Sequence, residues 1–389
     1  MAITHVDLFS GPGGICTGFK AAGIKTLLAV EKVKSCVDTY SANHPEVNIL
    51  NKDIRKITKH DLSLLKGINV DILTSGMPCE TFSTAGSKSR SSYDHRQQLY
   101  YEAIRIANII KPRVILFENV PGILTKKVVH GGERLIVEDI IDDLTKSGYK
   151  YFIDIILDAA DFGVPQNRKR FFILATRDKN LNLSCPTSIH DDEDICIKDA
   201  FLDLPKLLAN QGESHKGYLR KSNAYVELMR NNSFWKSGDS KQNELTYHVA
   251  PNHRDRTIQR FQLIKQGENL KDAFLKHSDS EIFQLQADGI LPKKWFIQRN
   301  MRLVPNKKSK TVTSHCLDEL IHPILDRALT VREVARLQSF PDSYDFAGGP
   351  FICPHVYETQ DKYEQIGDAV PPLLAYAWGK KIREILGAD

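Results

Sequence analysis

The stretch THVDLFSGPGG, residues 4–14, decides the fold of this chain. Its first six residues have the β-branched and apolar composition of a buried strand, and the glycines that follow lead into a helical pattern. A tight glycine turn between a strand and a helix is where doubly wound α/β sheets bind nucleotides. The third glycine of the dinucleotide-binding fingerprint is missing, so the turn alone fits a purely structural role equally well.

The sequence on either side of this turn alternates β-rich runs with helical patterns. The runs TLLAVE (26–31), VNIL (47–50), VDILTSG (70–76) and VILFEN (114–119) are separated by segments such as 34–44 and 97–111, whose apolar spacing suits helices. This alternation predicts an α/β fold with a Rossmann-like, doubly wound, mainly parallel sheet.

The alternation fades after Arg177 and returns near the end of the chain. The intervening polar region includes predicted loops at 210–217, 231–243 and 277–281. The pattern then predicts a helix that begins at a Thr330 cap and ends before Pro341, followed by an apolar segment at 370–386. We therefore expect one domain at 1–183, a smaller second domain at 184–345, and a segment at 346–389 that returns to the first domain.

Composition bounds the class of protein. The chain has 389 residues, 41% hydrophobic and 26% charged, with a formal charge of +5, which permits a polyanionic partner without demonstrating one. Its seven cysteines are scattered singly, a pattern that favours a reducing compartment over a disulfide framework or a zinc cluster. The sequence has no signal-like start and no run of 18 apolar residues, so we expect an intracellular protein with no membrane partner and no bound metal.

Several polar side chains follow the predicted strands at the same sheet edge. Glu31 closes the second strand, where a carboxylate can accept ribose hydroxyls, and Asp53 follows the third, where it can accept from an adenine amino group. Cys79 follows the fourth strand and Glu118 ends the fifth. A single cysteine is more often a buried filler than a nucleophile, and a single glutamate at a strand end is more often a cap or an ion-pair partner. Their convergence at one edge favours a catalytic site.

An array of polar residues precedes the strand FFILAT. Gln166, Arg168 and Arg170 alternate, so we expect them to share one face of the strand. A solvated basic strand edge is the alternative interpretation.

Together these motifs closely resemble the cytosine-5 DNA methyltransferases, especially the single-chain bacterial modification enzymes. DLFSGPGG (7–14), the Pro78-Cys79 pair followed by TFS, FENVPG (117–122), the QxRxR array, RALTVREVARLQSFPDSY (327–344) and QIGDAVPP (365–372) follow the order of the family. The resemblance covers about the first 180 and the last 65 residues. It implies that 1–183 is the catalytic and cofactor-binding domain, that 184–345 is the target-recognition domain with its hinge, and that 346–389 returns to the catalytic domain. It implies transfer of a methyl group from S-adenosylmethionine to carbon 5 of a cytosine that is flipped out of double-stranded DNA.

The resemblance also assigns roles to residues. Cys79 would attack carbon 6 of the cytosine, Glu118 would bind ring nitrogen 3 and the exocyclic amine, and Arg170 with Arg168 behind it would bind the carbon 2 oxygen and orient Glu118. The residues matched to the S-adenosylmethionine site are Phe9, Gly11, Gly13, Glu31, Asp53, Pro78, Leu99 and Asp368.

The polar loop from Ser83 to Gln98 follows the predicted nucleophile. Its Ser83, Lys88, Arg90 and Arg96 suit a loop that clamps a phosphate backbone, although a plain surface loop has the same composition. Two positions depart from the family pattern. Glu80 replaces a glutamine and brings a negative charge to the expected DNA contact, and Asp368 replaces an asparagine and exchanges a donor for an acceptor.

Two other functions remain open at this level. A branch of the family methylates transfer RNA, but the long middle segment, with basic residues and Trp295, favours a reader of the DNA major groove. A catalytically silent DNA-binding homologue is disfavoured by the intact set of Cys79, Glu118 and Arg170. We expect a cytoplasmic, nucleoid-associated bacterial enzyme that acts as a monomer on DNA and is paired with a restriction endonuclease for the same site.

Overall fold

The computed structural model describes residues 2–77, 99–127, 134–188, 194–211, 217–237, 244–349 and 359–388. The strands in these ranges are β1 (Thr4–Leu8), β2 (Lys25–Glu31), β3 (Asn48–Asn51), β4 (Ile72–Gly76), β5 (Val114–Asn119), β6 (Tyr151–Asp158), β7 (Lys169–Thr176), β8 (Met301–Arg302) and β9 (Leu320–Ile321). The helices are α1 (Gly14–Ala21), α2 (Lys34–Asn43), α3 (Leu99–Ile110), α4 (Ile136–Lys146), α5 (Ile197–Ala200), α6 (Ala224–Arg230), α7 (Asn232–Trp235), α8 (Asp255–Gln262), α9 (Leu270–Leu275), α10 (Asp279–Ala287), α11 (Cys316–Glu319), α12 (Val331–Leu337), α13 (Lys362–Asp368) and α14 (Pro372–Ile385).

The main sheet has the strand order β3-β2-β1-β4-β5-β7-β6. The first five of these strands are parallel, and β7 lies antiparallel between β5 and β6. The chain order reverses between β1 and β4, and ligands of open α/β sheets bind at such a switch point, outside the carboxyl ends of the strands. The sequence-based prediction of a doubly wound, mainly parallel sheet is confirmed.

Several elements differ from the sequence-based expectations. The sequence analysis did not single out β6, whose Tyr151, Phe152 and Ile156 are exposed, so that the strand lacks a clean alternation of buried and exposed positions. The loop predicted at 277–281 is wrong, because Ser278 accepts a hydrogen bond from the backbone of Glu281 and starts α10. A serine three residues before a glutamate is a helix-start signal that the loop-like composition concealed.

The segment predicted as a loop at 231–243 also begins with a helix. The Asn231 side chain accepts from the backbone N–H of Phe234 and caps α7. The helix predicted at Thr330 is confirmed, since the Thr330 hydroxyl accepts from the backbone of Glu333 and the Glu333 carboxylate accepts from the backbone of Thr330. Such a capping box satisfies two backbone donors at the start of α12.

Hydrophobic packing covers both faces of the sheet. One core joins the sheet to α3 and α4, with Leu73 and Ile115 at its centre. The other core joins the opposite face to α1, α12 and α14, and it includes Phe19, Trp235 and Trp378. These three side chains come from the two predicted domains and from the C-terminal segment that was expected to return to the first.

A smaller core lies within the middle segment. It is formed by Phe261, Ile264, Leu270, Phe274 and neighbouring residues of α8 to α10, together with Ile321. In the described ranges, no helix combines the length and apolar character needed to span a membrane.

Candidate functional site

The glycine turn after β1 is held in a left-handed conformation. Phe9, Gly11 and Gly13 all have positive φ values, +56°, +53° and +100°. Glycine adopts this conformation without penalty, whereas for Phe9 it costs on the order of 1 kcal/mol, a strain typical of functional sites. A Cβ on Gly11 would meet no atom within 4 Å, so the turn leaves open space at its tip.

The Glu31 carboxylate lies directly beside this turn. Its Oε2 accepts a hydrogen bond from the backbone of Gly11 at 2.9 Å, and its Oε1 accepts from the backbones of Lys32 and Val33 at 2.7 Å. Burial raises the pKa of Glu31, and these backbone donors oppose the rise. Each carboxylate oxygen offers two lone pairs, so Oε2 keeps one acceptor position for a ligand hydroxyl.

The other predicted cofactor residues surround the same edge. Asp53 follows β3 and forms an ion pair with Arg55, whose hydrogen bond lowers the pKa of Asp53 to about 2. Leu99 begins α3 and packs, like Phe9, against the core beneath the sheet edge. Asp368 ends α13, where its Oδ2 accepts from the Gln360 side chain at 3.0 Å.

Glu118 and Arg170 form the charged centre of the site. Arg170 Nε lies 2.9 Å from Glu118 Oε1, and each side chain is only 11% exposed. Gly76 is the register partner of Glu118, and a Cβ on Gly76 would lie 3.5 Å from Glu118 Oε2 and 3.9 Å from the Phe9 carbonyl. The carboxylate is therefore adjacent to the glycine turn. Burial raises the pKa of Glu118, while Arg170 and Arg168 pull it down.

Gln166 and Arg168 are buried rather than solvated. The Arg168 guanidinium donates to the backbone carbonyls of Val312, Gly367 and Ala369 at 2.6 to 3.0 Å. The Gln166 amide spans the same region, because it donates to the Leu337 carbonyl and accepts from the backbone of Val312. In the described structure these two side chains bind the C-terminal third of the chain to β7, and Arg170 forms the ion pair with Glu118.

A buried hydrogen-bonded chain beneath the glycine turn was missed by the sequence analysis. Asp7 Oδ1 accepts from Thr74 Oγ1 at 2.6 Å, and His5 lies between Thr74 and Thr26 at 2.7 and 2.9 Å. Burial raises the pKa of Asp7 to about 7, and the Thr74 hydrogen bond opposes that rise. The signal was present in the sequence, because two ionisable residues alternate within the otherwise apolar run THVDLF.

Several predicted site residues lie outside the described ranges. They are Pro78, Cys79, Glu80, Ser83, Lys88, Arg90 and Arg96. The strand that precedes Cys79 in sequence ends at Gly76, on the same edge as Glu118 and the glycine turn. Among the residues with described positions, no group of three or more histidine, cysteine, aspartate or glutamate side chains could hold a metal ion.

The sheet order, the turn at the switch point and the buried carboxylate on the neighbouring strand end define a class I methyltransferase fold. The C-5 cytosine-specific DNA methylase family matches residues 3–384, so the chain belongs to this family. It is a DNA cytosine-5 methyltransferase, as the resemblance in its motifs predicted.

Characterised relatives match over nearly the whole chain. The Type II methyltransferase M.DdeI of Desulfomicrobium norvegicum is 37% identical over 383 residues, which cover 97% of this chain and 88% of that protein. The Type II methyltransferase M.FnuDI of Fusobacterium nucleatum is 33% identical over 385 residues, or 98% of this chain and 94% of that protein.

Solved structures share the fold at lower sequence identity. An E. coli structure described as a DNA modification methyltransferase encoded within a prophage has a TM-score of 0.74 and 23% identity, and the match covers 99% of this chain and 100% of that one. The S. pombe Dnmt2 methyltransferase has a TM-score of 0.54 and 18% identity, with 99% of each chain covered.

Proposed function

We propose that this enzyme methylates carbon 5 of a cytosine flipped out of a specific site in duplex DNA, with Cys79 as a transient covalent nucleophile. The observation that carries the proposal is the buried Glu118–Arg170 ion pair beside the glycine turn. Carbon 5 of cytosine is a poor nucleophile until a thiolate adds to carbon 6. That addition pushes negative charge into the ring, and a proton donor at ring nitrogen 3 stabilises it.

Glu118 has the surroundings required of that donor. Burial raises the pKa of its carboxyl group and so favours the protonated form, while the charges of Arg170 and Arg168 oppose that rise. Arg170 fixes one carboxyl oxygen from the side and leaves Oε2 facing Gly76 and the turn. In the proposed complex, Glu118 binds ring nitrogen 3 and the exocyclic amine, and Arg170 binds the carbon 2 oxygen. Arg168 supports this arrangement through the backbone contacts that hold β7 against the C-terminal segment.

The proposed bonds made and broken by the Cys79 thiol balance without a metal ion. The Cys79 sulfur forms a bond to carbon 6, carbon 5 then takes the methyl group, and loss of the carbon 5 proton expels the thiolate. The target atom is inaccessible inside a stacked duplex, so the nucleotide has to leave the helix at a cost of a few kcal/mol. We assign backbone contacts during this step to Ser83, Lys88, Arg90 and Arg96.

The residues at the glycine turn fit S-adenosylmethionine, which supplies an electrophilic methyl group on its sulfonium. The open space at Gly11 admits a ligand close to the backbone, and Glu31 Oε2 keeps an acceptor position for a ribose hydroxyl. Phe9 and Leu99 offer partly buried apolar surface above the same core. We assign Gly13, Asp53, Pro78 and Asp368 to the remaining contacts, where Asp53 shares its oxygens with Arg55.

An exposed patch in the middle segment has the composition of a DNA-contacting surface. We define the 293–299 patch as these seven residues, in which Trp295, Phe296 and Ile297 are 40 to 58% exposed. Lys271 Nζ lies 5.5 Å from the Trp295 ring centroid, and the Arg299 guanidinium lies 5.5 Å from that of Phe296. Aromatic and basic side chains together bind bases and phosphates. We propose that the small core of α8 to α10 presents this patch as the centre of the target-recognition domain at 184–345.

The biological setting is proposed from the relatives. Because M.DdeI and M.FnuDI are bacterial Type II methyltransferases, we propose that the enzyme protects one DNA site in the bacterial cytoplasm from a restriction endonuclease that cuts the same site. We further propose that it acts as a monomer on DNA.

Covalent trapping tests the proposed chemistry. The full-length enzyme would be incubated with S-adenosylmethionine and duplex DNA that contains 5-fluorocytosine at random cytosines, because fluorine blocks the final elimination. We expect wild type to remain attached to the DNA, and sequencing of the trapped duplexes to give the recognition site. Cys79→Ser is expected to form no adduct, whereas Cys185→Ser, which removes another thiol, should trap DNA normally. Methyl transfer by Cys79→Ser at the wild-type rate would refute the mechanism, and adducts on transfer RNA alone would refute the DNA substrate.

A further inference from the structure

The hydroxyl of Tyr344 reaches the glycine turn from the far end of the chain. It donates to the Pro12 carbonyl, and it lies 2.8 Å from the position that a Cβ on Gly13 would take. The Tyr344 ring is buried and packs against Phe340 and Phe346 at centroid distances of 4.8 and 5.2 Å. The hydroxyl therefore has a fixed position from which to hold the turn.

The hydrogen bonds that fix the shape of the turn include three of different origin. Gly13 donates to the Ser10 carbonyl within the turn, and Gly11 donates to Glu31 on the neighbouring strand. The third, from Tyr344 to Pro12, joins positions 332 residues apart. It orients the Pro12–Gly13 peptide plane, which immediately precedes the first residue of α1.

The residues after Tyr344 hold it in place. We define the strap as residues 344–347. Asp345 exchanges two hydrogen bonds with the Asn43 side chain, at 2.8 and 2.9 Å, and the backbone of Ala347 donates to Thr39 Oγ1 at 2.9 Å. The strap thus lies along α2, the helix that follows Glu31 and β2.

The middle segment is attached to the same strap. Tyr247 donates its hydroxyl hydrogen to Asp345 Oδ1 and accepts from the backbone of Phe346, both at 3.1 Å. Arg332 at the start of α12 donates from its backbone to the Tyr247 carbonyl and from its guanidinium to the Thr246 hydroxyl. A continuous set of contacts therefore runs from Thr246 through the strap to Pro12.

We propose that Tyr344 is a positioning residue for the cofactor. Its hydroxyl holds the glycine turn in the conformation that binds S-adenosylmethionine, and the strap couples the position of the middle segment to the conformation of that turn. This inference rests on the proposed cofactor. Loss of the hydroxyl leaves the Pro12 carbonyl buried without its donor, so part of the cofactor's binding energy has to restore the turn.

Tyr344→Phe keeps the ring and removes one oxygen, and with it the bond to Pro12 and a longer 3.5 Å contact with His44 Nε2. Tyr225→Phe is a matched control, since the buried Tyr225 hydroxyl also donates to a backbone carbonyl, that of Arg336, away from the turn. We expect Tyr344→Phe to weaken binding of S-adenosylmethionine and S-adenosylhomocysteine about tenfold by calorimetry, the size of one such hydrogen bond. Hydrogen exchange of the free protein should accelerate by a similar factor in a peptide that covers residues 9–17. The single-turnover rate at saturating cofactor should stay near the wild-type rate.

The control separates positioning from general destabilisation. Urea unfolding should show similar losses of stability in both variants, while Tyr225→Phe should bind cofactor like wild type. Equal affinities of wild type and Tyr344→Phe, or equal weakening in the two variants, would overturn the role of Tyr344. Failure of wild type itself to bind either ligand would instead overturn the proposed cofactor and, with it, this inference.

Discussion

Asp7 is a carboxylate that the fold holds in an environment unfavourable to charge. The hydrogen bonds around it have a defined direction, because Thr74 has a single hydroxyl proton and gives it to Asp7. His5 Nε2 then has to donate to Thr74, which leaves Nδ1 to accept from Thr26. Burial lowers the pKa of His5 to about 3, so the ring is neutral in this chain. Asp7 consequently has no cationic partner within the network.

This environment predicts a pH-dependent stability difference. Burial raises the pKa of Asp7 from 3.8 to about 7, so the folded protein keeps a proton that the unfolded chain has already lost. The carboxyl's contribution to stability is complete below about pH 4 and is lost as the pH rises through about 7. Between about pH 5 and about pH 8.5, wild type should therefore lose about 2 to 3 kcal/mol relative to Asp7→Asn, which cannot titrate.

Urea unfolding of both proteins across this range measures the difference directly. Thr74→Ser keeps the hydrogen-bond donor to Asp7 and should follow the pH dependence of wild type. A stability difference between wild type and Asp7→Asn that does not change with pH would contradict the assigned environment of Asp7.

The site residues differ in how far the sequence could predict them. Glu31 and Glu118 stand at strand ends, so a strand pattern alone places them at the site edge, and the structure brings both beside the glycine turn. Tyr344 could not be found in this way, since its partner Pro12 lies far away in sequence and only the folded chain brings them together. Arg168 was expected behind Arg170, but which carbonyls it would meet depends on the docking of α13.

At the level of elements, the close contact between α1 and α14 depends on Gly18, which has no side chain. A Cβ on Gly18 would lie 2.3 Å from the Pro372 carbonyl oxygen and 2.5 Å from the Tyr376 nitrogen. Both are backbone atoms, so a methyl group there forces the helices apart. The helix that carries the glycine turn at its start is thus positioned by its approach to the last helix of the chain.

Gly18→Ala should therefore destabilise the protein by about 1 to 3 kcal/mol through overpacking. This outweighs the gain of about 1 kcal/mol that alanine brings to a helix interior. Thermal and urea unfolding measure the effect, and Gly349→Ala is the control because a Cβ there meets nothing within 4 Å. An unchanged or increased stability of Gly18→Ala would show that the two helices adjust without cost.

Helices and strands whose signals lie in neighbouring residues could be predicted from the sequence. Features that depend on contacts with residues far away in the sequence could not. The capping box at Thr330 involves residues three apart, so the start of α12 follows from the sequence itself. The strand β6 is defined by its antiparallel pairing with β7, and its exposed Phe152 and Ile156 hide the usual alternation. The crowding at Gly18 comes from residues more than 350 positions away.

At the scale of the whole molecule, buried ion pairs join distant parts of the 184–345 segment to one another. Arg336 in α12 binds Asp203 at 2.7 Å and Asp342 at 2.5 Å, and Arg327 binds Glu333 at 2.7 Å. These groups are almost fully buried, where loss of one partner leaves an uncompensated charge and costs about 3 to 5 kcal/mol. These pairs hold α12, which packs in the same hydrophobic core as the catalytic sheet, whereas the small core of α8 to α10 has hydrophobic packing of its own.

The 293–299 patch is where we expect the positive charge of the protein to contribute to the electrostatic free energy of DNA binding. Lys293 and Lys294 are exposed at one end of the 293–299 patch, and each phosphate neutralised by a lysine contributes about 0.9 to the slope of log affinity against log salt concentration. The double variant Lys293→Ala/Lys294→Ala should reduce the magnitude of this slope by about 2, measured by fluorescence anisotropy with the trapped recognition duplex. Lys66→Ala/Lys179→Ala removes the same charge near the opposite edge of the sheet, because Lys66 precedes β4 and Lys179 follows the antiparallel β7. A slope change of equal size in both variants would mean that net charge, rather than the patch, attracts DNA.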